Sequence, residues 1–180
     1  MLFYTILTET EEQKTKIELL YKKYHKMMLY IAWDILREQM VAEDAVHSCF
    51  LRMIKYLDGI DIENERRTKR FIVIMIRHTA INIFNKRKRE MTYSLDEMED
   101  WQIPASEDID FYDLPEENRV ILAIKNMPEL YRDVFLLKYS SGYENQEIAD
   151  MLGITEESVR KRISRGKKKL EEILNKEGVL

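Results

Sequence analysis

An all-α fold of two small helical domains, joined by a flexible acidic linker and ending in a helix-turn-helix, is what the sequence predicts. Three observations carry that expectation. Apolar residues recur at steps of three and four over most of the chain, the period of a helix with one buried face. Five Gly and three Pro in 180 residues, beside abundant Lys, Glu, Ile, Leu and Met, suit helices and leave little material for strand turns. Between Met91 and Glu117 the period stops: ten carboxylates and two prolines occur there with no Lys or Arg. The formal charge of −4 is therefore an average over segregated regions. It argues against a uniformly basic nucleic-acid binder but not against one with basic faces.

The opening stretch MLFYTILTETEEQ has no basic leader, and its apolar run is too short for a signal peptide. The longest apolar run, Phe71 to Ile76, falls far below the ~20 residues a membrane span needs, so nothing membrane-embedded is expected. The first helical stripe is Ile17, Leu20, Tyr21, Tyr24, Met28, Ile31 and Ile35. A second helix carries Ala42, Ala45, Val46, Cys49, Phe50, Met53, Ile54 and Leu57 on one face, with Glu43, Asp44, His47, Ser48 and Arg52 opposite, and Asp58-Gly59 ends it. Cys49, the single cysteine, excludes an internal disulfide, suits a reducing cytosol, and is expected as a small core residue. His47 lies two residues from Cys49 and so on another face, and His25 and His78 have no ligand partners at useful spacing. No metal and no cofactor is expected.

A third helix is expected after Asn64, with Phe71, Ile72, Met75, Ile76, Thr79, Ala80, Ile83 and Phe84 as a wide apolar face. It ends in Asn85, Lys86, Arg87, Lys88 and Arg89. Such cations complement a helix C-terminus, and they also suit a phosphate backbone while His78, Asn82 or Phe84 engages unpaired bases. These helices form a first domain over 10–90, with the linker at 91–115. Around Pro115, Asp113 and Glu116 resemble a capping box that opens a second domain over 116–176. Val120, Ile121 and Ile124 continue its first helix to Pro128, Leu130, Val134, Phe135 and Leu137 make the next, and Ser140-Ser141-Gly142 breaks it.

Two further helices complete the domain, over NQEIADMLGITEESVRKRISRGKKKL, Asn145 to Leu170. Ile148, Ala149 and Leu152 share one face of the first, and Gly153 can take the positive φ that closes a helix end. Thr155 caps the next helix, Glu156 and Glu157 sit in its positively polarised first turn, and Ile154, Val159 and Ile163 point inward. The outer face holds Arg160, Lys161, Arg162, Ser164, Arg165, Lys167, Lys168 and Lys169, the side chains a helix in the major groove requires. A helical hairpin with a merely solvated basic face is the plainer reading. The small Ala, the turn Gly, the cap and the inward β-branched residues at the required offsets favour the DNA-reading motif.

With both halves described, a resemblance to a family becomes visible. The chain resembles a bacterial RNA polymerase sigma factor of the short, two-domain extracytoplasmic-function class of the sigma-70 family. Ala42-Glu43-Asp44-Ala45-Val46-His47-Ser48-Cys49-Phe50-Leu51-Arg52 is similar to the family's core-docking segment. Phe71 to Arg89 is similar to its −10 reading and melting segment, and Met127 to Phe135 with the helix-turn-helix is similar to its −35 reading domain. The resemblance implies core contacts at Asp44, His47, Leu51 and Arg52, −10 contacts at His78, Asn82, Asn85, Lys86 and Arg87, and −35 contacts at Arg160, Lys161, Ser164 and Arg165, with Arg162, Lys167 and Lys168 nearer the phosphates. Two departures stand out: His47-Ser48 where many members have Gln and an acid, and His78 and Asn82 where Asn and Asp are frequent.

The partners so implied are core RNA polymerase and promoter DNA, with an anti-sigma factor as a further class, and the expected location is cytoplasmic. No nucleophile with a base, phosphate-cradling glycine loop or metal set is visible, so the chain is not expected to be an enzyme and the phosphodiester chemistry would be the polymerase's. An ordinary helix-turn-helix repressor, binding its operator alone as a dimer, and an enzyme acting on nucleic acid are the alternatives. The two basic regions around an acidic linker speak against the first, and the missing catalytic groups against the second.

Overall fold

The computed structural model describes residues 2–91 and 119–176, and the chain divides into two compact units, 1–110 and 111–180. All regular structure among the described residues is helical: α1 (Leu2–Ile6), α2 (Glu11–Leu36), α3 (Gln39–Ile54), α4 (Glu65–Met91), α5 (Arg119–Lys125), α6 (Glu129–Phe135), α7 (Asn145–Leu152) and α8 (Glu156–Lys176). The linker at 91–115, beyond Met91 itself, and the capping box at Asp113 to Glu116 lie outside the described residues. None of the described helices is long and apolar enough to cross a membrane.

In the first unit α2, α3 and α4 pack on one another around a common core. Thr10 caps α2 by accepting the Gln13 N–H at 3.1 Å, and Ile17, Leu20, Tyr24, Met28, Ala32 and Leu36 line the buried face one turn apart. Arg37 ends α2 in the left-handed region, φ 55°, its N–H held by the Trp33 carbonyl. From α3, Ala42, Ala45, Val46, Cys49, Phe50 and Met53 enter the core, and the helix stops at Ile54. A 3₁₀ turn, Leu57–Gly59, takes over where the expected helix still continued. Lys23 pairs with Glu65 at 2.9 Å, joining the middle of α2 to the first turn of α4.

Two features depart from the sequence reading. The opening apolar run is a helix, α1, which buries Tyr4 against α2 and α3. And α4 is covered on every side over Phe71 to Ala80, ten consecutive buried residues where the periodicity predicts one apolar face. Further along, Ile83 is half-buried and Phe84 is exposed, because the helix runs on past the core.

In the second unit α8 packs against α5, α6 and α7. Between α6 and α7 the helix widens over Leu136–Ser140: the Ser141 N–H reaches back five residues to the Leu136 carbonyl at 3.0 Å, a π-type turn that the sequence did not announce. Gly142 then takes φ 79° and releases the chain into α7.

Candidate functional site

The helix-turn-helix is built from local backbone chemistry. At the start of α7 the Glu144 N–H donates to the Glu147 carboxylate at 2.7 Å. At its end Gly153 sits at φ 65°, while the Ile154 N–H bonds the Ala149 carbonyl and the Gly153 N–H bonds that of Asp150. This paired closure satisfies carbonyls the helix end would otherwise leave unbonded, and a side chain at 153 would strain it. Two residues on, Thr155 Oγ1 accepts the Ser158 N–H at 3.1 Å and opens α8. Ile148, Ala149, Met151, Leu152 and Val159 are buried in the angle between the two helices, with Ile154 and Ile163 half-buried at its margin.

What holds α8 against its support is a residue the sequence reading passed over. A Cβ on Gly166 would lie 2.6 Å from Phe135 Cε2 and 3.2 Å from Met127 Cε, so only a glycine lets α8 approach α6 this closely. The signal existed: Gly166 falls seven residues after Val159, on the inward side, amid a run of cations.

The outward side of α8 carries the expected cations. Arg160, Lys161, Ser164, Arg165, Lys167 and Lys168 are exposed, and Arg162 is half-buried. At 100° per residue, Lys161, Ser164, Arg165 and Lys168 form one stripe opposite Val159, Ile163, Gly166 and Leu170. The two acidic residues of the first turn do more than complement the helix dipole. Glu156 takes the Arg160 guanidinium at 2.7 Å, and Glu157 takes the Lys161 ammonium at 2.8 Å, each one turn along. The Lys161 contact holds the Glu157 carboxyl below its usual range. Exposed pairs of this kind are weak, so they orient the cations without locking them away from an anion. Lys167 and Lys168 have no ion pair among the described residues.

In the first unit the candidate residues divide by burial. On α3, Asp44 and His47 are exposed and Leu51 and Arg52 half-buried, so the four share an accessible margin of a helix whose other side is core. Cys49, between them in sequence, is fully buried, and burial pushes its thiol up to about 12, far from reactivity. On α4, Asn82 and Asn85 are half-buried and Lys86 and Arg87 exposed, whereas His78 is 4% exposed. The surface that α4 offers thus begins after His78, whose imidazole lies within the covered stretch. Arg87 bridges to Glu38 at the start of α3 at 2.8 Å. Among the described residues no three His, Cys, Asp or Glu side chains stand together as a metal site.

The family model for sigma-70 region 2 matches residues 20–90 and that for sigma-70 region 4 matches residues 117–170. The ECF RNA polymerase sigma factor SigW of Bacillus subtilis (strain 168) is 26% identical over 162 residues, covering 82% of this chain and 82% of its own length. RNA polymerase sigma factor SigZ of the same organism is 24% identical, covering 88% of this chain and 86% of its own. The ECF RNA polymerase sigma factor SigX is 25% identical, with 85% and 80% covered. A solved structure of the sigma factor RpoE with the anti-sigma factor NepR from Bartonella quintana is 15% identical, covering 92% of this chain and 98% of that one. Its TM-score of 0.34 carries no structural inference. With both regions matched in order over most of its length, the chain belongs to the sigma-70 family, in its extracytoplasmic-function class.

Proposed function

We propose that this sigma factor binds core RNA polymerase through the exposed margin of α3 and directs it to promoters by reading two elements. Asp44, His47, Leu51 and Arg52 would meet the polymerase, Asp44 as an acidic contact for a basic surface. The end of α4, with Asn82, Asn85, Lys86 and Arg87, would take the −10 element, and His78 would join it only if that stretch were uncovered. The stripe on α8 would enter the −35 major groove. Arg160, Lys161, Ser164 and Arg165 would approach bases, and Arg162, Lys167 and Lys168 would hold phosphates. The observation that carries the reading is the exposed cationic stripe of α8, borne on a helix that the Gly153 closure, the Thr155 cap and the Gly166 seam fix in place. A bidentate Arg–guanine contact contributes about 1–3 kcal/mol of discrimination, more than a weak exposed ion pair can withhold. In this reading an anti-sigma factor would compete for the same surfaces.

The test is transcription from a promoter library by purified core polymerase, with and without this protein, read as start sites. New starts sharing spaced −35 and −10 elements are expected. No new starts, together with DNA binding by the protein alone, would turn the reading to a free repressor. Arg165→Ala should lower transcription selectively at promoters with an intact −35 element, whereas equal loss on every template would assign Arg165 to phosphates. Asp44→Arg should abolish association with core polymerase while the helical circular dichroism is retained.

A further inference from the structure

The short helix α1 reaches the docking margin of α3 through one side chain. The Tyr4 hydroxyl lies 2.8 Å from His47 Nδ1, with the two rings 5.4 Å apart. Tyr4 is itself fixed: its ring meets Phe50 at 5.2 Å and Tyr21 at 5.8 Å, and it is 6% exposed. Burial pushes its phenol up to about 12, so the hydroxyl keeps its hydrogen throughout the working range. His47, by contrast, is exposed on the same turn of α3 as Asp44. A rigid, buried hydroxyl therefore holds one nitrogen of an exposed imidazole.

We propose that Tyr4 is a positioning residue for core docking: by donating to Nδ1 it fixes His47 in the Nε2–H form and orients the ring. The margin of α3 then presents an N–H donor beside the Asp44 carboxylate. A partner surface matching that pair carries a hydrogen-bond acceptor, a carbonyl or carboxylate, next to a cation. Tyr4 acts only through His47 and makes no contact with the partner. The proposal rests on the docking role assigned to α3 above.

The tautomer is read on the free protein by ¹⁵N-resolved NMR of the His47 ring at pH 8. The wild type is expected to show the Nε2–H form, and Tyr4→Phe, which keeps the ring packing, a mixture of the two neutral forms. Binding to core polymerase is measured on the same proteins. Tyr4→Phe should weaken it about five-fold, the loss of one net hydrogen bond, and should add nothing in a His47→Ala background. An unchanged His47 tautomer in Tyr4→Phe, or an equal effect of Tyr4→Phe with and without His47, would overturn the proposal and leave Tyr4 a packing residue. Undiminished binding by His47→Ala would overturn it as well, and Asp44→Arg separates the two failures. If Asp44→Arg still abolishes binding, only the Tyr4–His47 proposal is lost, and if it too leaves binding intact, the docking role of α3 is lost with it.

Discussion

Helices α4 and α8 run for 27 and 21 residues, and both carry cationic clusters, yet they relate to their units in opposite ways. Over Phe71 to Ala80, α4 is buried on all sides, and its candidate DNA-facing residues gather beyond that stretch. In α8 only Val159, Gly166 and Leu174 are buried, Ile163, Leu170 and Ile173 are half-buried beside them, and the other side of the helix presents polar or charged surface. A helix at the centre of a unit has its side chains chosen by packing, and function is confined to the segment that leaves the core. A helix lying on a small unit needs only a narrow seam of contact, so most of its positions are open to function.

The largest expected effect tests whether the two helices belong to separately stable units. Met75→Ala, at a fully buried position of α4, should cost about 2–5 kcal/mol and lower the thermal midpoint of the first unit. It should also speed alkylation of the buried Cys49, which reports the opening of that unit alone. Val159→Ala in α8 should leave Cys49 alkylation unchanged, and faster labelling in that variant would break the division.

Gly166→Ala sharpens the account of the seam. The added methyl collides with the Phe135 ring, at about 1–3 kcal/mol, against a gain of about 1 kcal/mol in helix propensity. Net destabilisation is expected by chemical denaturation, and it should recede when Phe135→Leu removes the ring tip. A stabilised Gly166→Ala would show that the seam is loose. A smaller effect is expected at the cap: Thr155→Ala should lose about 1 kcal/mol, and Thr155→Asp should lose much less.

The legibility of the sequence divides along the same contrast. The turn at Gly153, the cap at Thr155 and the inward Ile148, Ala149 and Val159 are local signals, each fixed by neighbours within a few residues, and the structure repeats them. The Tyr4–His47 bond joins residues 43 apart and cannot be read from periodicity, and although the period places Gly166 inward, it does not name the ring in another helix that the seam depends on. That His78 is covered could not be read for a related reason. A helical period identifies the face that must be buried but is silent about what covers the opposite one, and in α4 that face is covered too.

The wide turn at Leu136–Ser140 has a consequence for how the cationic stripe of α8 is aimed. One residue of α-helix is about 100° of rotation, so a turn that takes in an extra residue works as a gear between α6 and the two helices after it. Removing that residue would let α6 continue as a regular helix and dial α7, and α8 behind it, round by about a quarter turn. The helix would keep every cation it has, and the Gly166 seam would then be facing the wrong ring.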